Sequence, residues 1–310
     1  MHLTTKSLAR LLAGIAAVAA PLAMTATATA APAAPAERQL NTAGTAVIQP
    51  HATWYSGTIA PGGTQNWVWN NAPATAVYKV ALSPVGASTT ADCEFETTRS
   101  WDVQQPGGER EFHWTIKNVG TIACGTNVLL SSLSAGNSWA SGGIDAGDSK
   151  SWTWNNANPL DAAYLAGVAP SGATSSSSCQ FEVTSSSYVD QPSGEREFRF
   201  TVKNTGTIAC QGTVLLAKKS AGNSFAIGPI GSGNTGSYVW HNAPTDLVFL
   251  LGLTPNGATS STACQLKITR SWYQQRIKAD GTATRELLFN VNNPSSIACT
   301  ATVDVSFWSA

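Results

Sequence analysis

Apolar and polar residues alternate with a period of two through much of the chain. Cys93, Phe95 and Thr97 alternate with Glu94 and Glu96, and Cys179, Phe181 and Val183 do so around Gln180 and Glu182. Phe112, Trp114 and Ile116 alternate with His113, Thr115 and Lys117, while Tyr78, Val80 and Leu82 and then Cys124, Thr126, Val128 and Leu130 keep the same period. Successive side chains of a strand point to opposite faces, so this pattern predicts half-buried antiparallel strands. No stretch beyond residue 36 sustains a helical period. Asn118-Val119-Gly120 and Asn204-Thr205-Gly206 are predicted turns, because Asn and Gly tolerate positive φ.

The pattern occurs three times. Trp54, Trp139 and Phe225 open the copies; thirteen residues later stand Trp67, Trp152 and Tyr238, and two further on Trp69, Trp154 and Trp240. The segments read NWVWNNAP, SWTWNNANP and SYVWHNAP. Pro84, Pro170 and Pro255 follow, each nine residues before a Cys. The second halves also agree, GEREFHWTIKNVGTIAC with GEREFRFTVKNTGTIAC, and TRELLFNVNNPSSIAC keeps Arg285, Glu286 and Asn293. Self-similarity at a period of about 85 residues marks a repeat architecture.

Six or seven short strands per copy fit a two-layer sandwich. The predicted fold is all-β: three tandem immunoglobulin-like β-sandwich modules at 51–134, 135–220 and 221–310. The TVKNTGTIA segment resembles the strand-turn-strand hairpin of bacterial immunoglobulin-like adhesion and spacer modules of the CARDB type. The connections SSLSAGNS and KKSAGNS are short, which predicts a restricted, rod-like row of modules.

Residues 1–36 have a different composition. Lys6 and Arg10 precede an apolar stretch from Leu11 to Met24 and the run TATATAAPAAPA. That order reads as a secretory signal peptide over 1–30, cut after Ala28 or Ala30, with a linker at 31–50. Its apolar part is short and broken by Pro21, unlike a membrane span. The expected location is extracellular, after secretion. An exported chain should oxidise its cysteines. Their repeated short-long spacing pairs them within modules as Cys93–Cys124, Cys179–Cys210 and Cys264–Cys299. Each closure is worth roughly 3.5–4 kcal/mol in the chain-entropy account.

Charge narrows the partners. The chain has 18 basic and 18 acidic residues, and loss of Lys6 and Arg10 with the leader leaves −2. Nucleic acid, which needs clustered cations, is not an expected partner, nor is an anionic membrane. Catalysis is not expected either. His51, His113 and His241 occupy non-equivalent positions, and His113, aligned with Arg199 and Leu288, reads as an outward strand residue. Glu111, Glu197 and Glu286 recur, but each follows an Arg (Arg110, Arg196, Arg285) and the doublets point to opposite faces. They read as ion pairs or loop anchors, with a shared ligand contact as the competitor. No nucleophile, metal or phosphate motif follows a strand, so no enzyme, cofactor or metal is expected.

The aromatic doublets remain. The first ring of each is expected in the core. The second borders a polar corner: Trp69 with Asn70 and Asn71, Trp154 with Asn155 and Asn156, Trp240 with His241 and Asn242. A partly exposed indole beside amides suits a sugar, whose face covers the ring while the amides bind hydroxyls. A buried Trp with turn-forming Asn is the alternative. Trp101 and Trp272, with Tyr188, form a second candidate surface. Two functions fit: multivalent binding of a neutral glycan or cell surface, or an extracellular structural or protein-docking scaffold, an inhibitor or toxin accessory included, with no small-molecule site.

Overall fold

The computed structural model describes residues 38–40, 51–157 and 162–309; the leader at 1–30 and most of the 31–50 linker lie outside the described residues. Every element described is a strand. β1 (Arg38–Leu40) lies parallel beside β3. The first set of six is β2 (His51–Tyr55), β3 (Thr64–Trp69), β4 (Ala76–Val85), β5 (Cys93–Gln104), β6 (Arg110–Asn118) and β7 (Gly125–Ser134). The second is β8 (Asn137–Ala140), β9 (Ser149–Trp154), β10 (Ala162–Ser171), β11 (Cys179–Asp190), β12 (Arg196–Asn204) and β13 (Gln211–Ser220). The third is β14 (Asn223–Ile230), β15 (Thr235–Trp240), β16 (Leu247–Asn256), β17 (Cys264–Ile277), β18 (Ala283–Asn292) and β19 (Cys299–Ser309).

Within each set the pairing is the same. One layer runs β2-β7-β4, β8-β13-β10 or β14-β19-β16, and the other β3-β6-β5, β9-β12-β11 or β15-β18-β17. The alternating residues meet between the layers. In the first repeat Trp67, Phe95 and Trp114 come from one layer and Leu82 and Val128 from the other, each at most 1% exposed. The three disulfides form as the spacing predicts, and each ties the start of one layer's strand to the other layer.

The repeats close on one another in a cycle instead of forming a rod. The end of β5 pairs with the start of β11, from Asp102↔Phe181 to Gln104↔Cys179. The end of β11 pairs likewise with β17, from Tyr188↔Leu266 to Asp190↔Cys264. The end of β17 returns to the start of β5, from Trp272↔Glu96 to Gln275↔Cys93. The physical reason is the open edge. β5, β11 and β17 are 12 to 14 residues long and pair on one side with β6, β12 and β18. Long edges with unpaired N–H and C=O groups must be covered, and here each covers the next.

Side chains seal the same joints. Gln104 Oε1 accepts from Ala173 N at 3.0 Å, Asp190 Oδ2 from Ala258 N at 3.3 Å, and Gln275 Oε1 from Ala87 N at 3.0 Å. The recurring arginines do more. Arg110 Nη2 donates to Val168 O at 3.1 Å, Arg196 Nε to Leu253 O at 2.9 Å, and Arg285 Nε to Leu82 O at 2.9 Å. Each also holds its own repeat: Arg110 at Pro73 O and Ala76 O, Arg196 at Ala162 O, and Arg285 at Pro244 O and Leu247 O. Their side chains are buried, and burial lowers the Arg285 pKa to about 10, which leaves it a cation at neutral pH. Arg285 lies 4.3 Å from the Tyr273 ring centroid and Arg196 4.5 Å from that of Tyr188, so aromatic faces replace part of the lost hydration.

The Asn-Gly turns form for a reason other than the one expected. Gly120 and Gly206 are absent from the positive-φ residues. Instead the fully buried Asn118 donates to Ile59 O and Ile122 O, both at 2.8 Å, while its Oδ1 accepts from Gly120 N at 3.0 Å. Asn204 and Asn293 repeat this arrangement, and in the third copy Ser295 N takes the glycine's place. A side-chain staple needs no glycine, which is why the third copy can lose it.

Two outcomes follow from the closed cycle. Urea unfolding monitored by Trp fluorescence and by far-UV circular dichroism is expected to give one coincident transition, not three. Arg285→Met should lower the unfolding free energy by about 3 kcal/mol, since buried carbonyls in two repeats lose their donor. Arg285→Lys should recover little of it, lacking the planar fork.

Candidate functional site: the aromatic edges and the central cavity

Trp69, Trp154 and Trp240 are the last residues of β3, β9 and β15. Each is half-buried and packs on the aromatic that opens its repeat: Trp69 on Trp54 at 5.7 Å, Trp154 on Trp139 at 6.2 Å, Trp240 on Phe225 at 5.8 Å. The pairs lie where the outer strands of the two layers meet, β2 with β3, β8 with β9 and β14 with β15. The first ring of the doublet is buried only in the first repeat. There Trp67 is 1% exposed and stacks on Trp114 at 6.1 Å. Phe200 and Phe289 stand in place of Trp114 in the other repeats, and Trp152 and Tyr238 above these smaller rings are half-buried.

The polar half of the corner is held by backbone geometry. Asn71, Asn156 and Asn242 have φ of 54°, 52° and 54°, the left-handed region that Asn enters more readily than most residues. The following Ala72, Ala157 and Ala243 donate to the carbonyls of Arg110, Arg196 and Arg285, each at 2.8 Å. Asn71 N also donates to Glu109 Oε1 at 3.1 Å and Asn156 N to Glu195 Oε1 at 3.0 Å. Asn71, Asn155, Asn156 and Asn242 are exposed and Asn70 is half-buried. The third corner differs: His241 Nδ1 is 2.8 Å from Glu286 Oε1. Each Trp-Asn set is thus assembled within its own repeat.

The recurring glutamates hold neighbouring side chains. Glu111 Oε2 accepts from Gln105 Nε2 at 2.6 Å and lies 2.8 Å from His113 Nε2. Glu197 pairs with Arg199 at 2.7 Å. His113 is buried, not outward-facing in solvent, because its imidazole stacks on Trp101 at 5.1 Å while its nitrogen reaches Glu111. The second candidate surface is not shared either. Tyr188 stands one residue out of step with Trp101 and Trp272, is buried, and its hydroxyl accepts from Tyr164 N at 2.9 Å. Burial pushes that phenol up to about 12.

A cavity of about 510 Å³ lies where the three repeats meet, lined by β4, β10 and β16 and by β5, β11 and β17. At it Arg99 pairs with Glu182 at 2.7 Å and Arg270 with Glu96 at 2.9 Å. These arginines lie over Trp101 at 4.3 Å and Trp272 at 4.4 Å. Both pairs join one repeat to the next. The third equivalent pair would use residues three and six after the Cys, and those are Lys267 and Ser185. The signal was present in the sequence as the exceptions among aligned copies, whereas agreement among copies points to the corners. Among the described residues, no group of three or more His, Cys, Asp or Glu is gathered to hold a metal. No described helix is long and apolar enough to cross a membrane.

No family model matches this chain, and no curated protein matches it.

The left-handed corner is open to direct test. Asn156→Gly should change the unfolding free energy by less than about 0.5 kcal/mol, while Asn156→Val should cost about 1–2 kcal/mol, because a β-branched residue is strained at positive φ. Urea titrations of the two variants measure the difference.

Proposed function

We propose that this is a secreted, non-catalytic binding protein that engages neutral glycans on a surface through its three aromatic edges. The carrying observation is the same half-buried aromatic pair, Trp54–Trp69, Trp139–Trp154 and Phe225–Trp240, set at three separate places on one closed body. Three weak contacts held in fixed geometry gain avidity on a repeating ligand without any new interaction. A half-exposed indole offers a sugar an apolar face, and the exposed Asn side chains beside it need no charge on the ligand. Three disulfides fit an extracellular setting.

The immunoglobulin-like reading is supported by the order of pairing. Within a repeat, strands two, five and four form one layer and three and six pair in the other, as strands B, E, D and C, F do in an immunoglobulin sandwich. The first strand lies beside the sixth, where that fold places its seventh. A scaffold role is favoured by one observation. β1 covers the free side of β3, whereas β9 and β15 pair on one side only among the described residues, leaving edges that a partner's strand could join.

Binding to an array of neutral glycans tests the proposal. The wild-type protein should bind a repeating neutral glycan, and Trp154→Ala with Trp240→Ala should weaken that apparent affinity at least tenfold while the circular dichroism spectrum is kept. Absence of array binding, or equal binding by the double variant, would sink the reading.

A further inference from the structure

The cavity between the repeats breaks the symmetry that builds it. Fourteen residues before the first Cys of each copy stand Lys79, Leu165 and Leu250, and all three line the cavity. Two copies therefore place a leucine there and one an ammonium group. Lys79 keeps some accessible surface, yet the packing around its amine is dense enough to hold its pKa below the usual lysine value. Surface that opens onto the cavity accounts for both. No ion pair of Lys79 is present among the described residues.

The carboxylates at the cavity are already matched. Glu96 is held by Arg270, Glu182 by Arg99, and Asp102 by Arg110. Lys267 occupies the position that is Glu96 or Glu182 in the other copies, and Ser185, which also lines the cavity, the position that is Arg99 or Arg270. Thus two lysines line one cavity, and neither has a carboxylate assigned to it. Around them stand two sets of equivalent hydroxyls, Thr98, Thr184 and Thr269 with Ser100, Ser186 and Ser271. A desolvated cation without a counter-ion is costly to keep unless a ligand supplies the charge.

We propose that this cavity is a binding site for one small, hydroxylated carboxylate, of the chemical class of a hexuronic acid, with Lys79 and Lys267 matching the carboxylate and the serine and threonine hydroxyls meeting its hydroxyl groups. The volume lies within the roughly 300–1,000 Å³ of small-molecule pockets. The site is separate from the aromatic edges, occurs once per chain, and stands whether or not the corners bind glycans.

Isothermal titration of the intact protein at low salt with glucuronate, glucose and sulfate tests this. Glucuronate should bind with a stoichiometry of one per chain, and glucose, its neutral counterpart, should not bind at this site. Lys79→Leu installs the residue of the other two copies, and Ser185→Arg with Lys267→Glu restores the third ion pair. Each should weaken glucuronate binding at least tenfold without lowering the melting temperature, and Trp154→Ala should leave it unchanged. A glucuronate stoichiometry of three, glucose binding that Lys79→Leu weakens as much as it weakens glucuronate, or a loss below tenfold in both cavity variants overturns the proposal. Sulfate binding as tightly as glucuronate overturns the assignment of a hydroxylated ligand.

Discussion

The end-to-end pairing of β5, β11 and β17 is the constraint from which the rest of the molecule follows. A long edge strand cannot be left open beside two copies of itself without inviting pairing, and in this chain the pairing is completed internally. Once each edge is spent on the next repeat, the flanking layers are brought together and the apolar cores merge into a cluster spanning all three copies. The buried arginines then send donors to the carbonyls of the neighbouring repeat. Their burial makes sense only with the cycle closed, because an isolated repeat would lack the Val168, Leu253 or Leu82 acceptor.

What could be read from the sequence is what is local or repeated. Period-two alternation placed the strands, since it depends only on which face of a strand meets the core. The disulfide pairs followed from cysteine spacing for the same reason. Ring closure was not legible, because the pairing of Trp272 with Glu96 joins residues far apart in the chain and leaves no periodic trace in either strand. The Arg-Glu doublets read as cross-strand ion pairs or loop anchors; Arg110 does pair with Asp102 and hold Pro73 O, but the bonds of Arg110, Arg196 and Arg285 across repeats leave no local trace. His113 was misplaced because alignment with Arg199 fixes the strand face, while the stacking partner Trp101 decides its burial.

The candidate corners show how agreement among copies mixes two causes. Trp69, Trp154 and Trp240 recur together with Asn71, Asn156 and Asn242, but the asparagines are demanded by the backbone, independently of any ligand. The Trp side chains are not fixed in that way, since the packing partner varies between indole and phenyl. Residues that the scaffold does not demand are more sharply visible where copies disagree, as at Lys79 and Lys267, because other residues fill the same places in the other repeats.

The joints between repeats run head to tail, each using a strand end on one copy and a strand start on the next. Such heterologous contacts close only when the rotation per copy divides the circle, here at three. Three separate chains of one repeat could make the same ring, but any residue at its centre would appear three times. They could offer three ammonium groups in mutual repulsion, or three leucines and no charge. Joining the repeats in one polypeptide removes that restriction and lets a single lysine stand among two leucines. The covalent link thus turns a three-fold hub into an asymmetric one, whose centre need not present the same group three times.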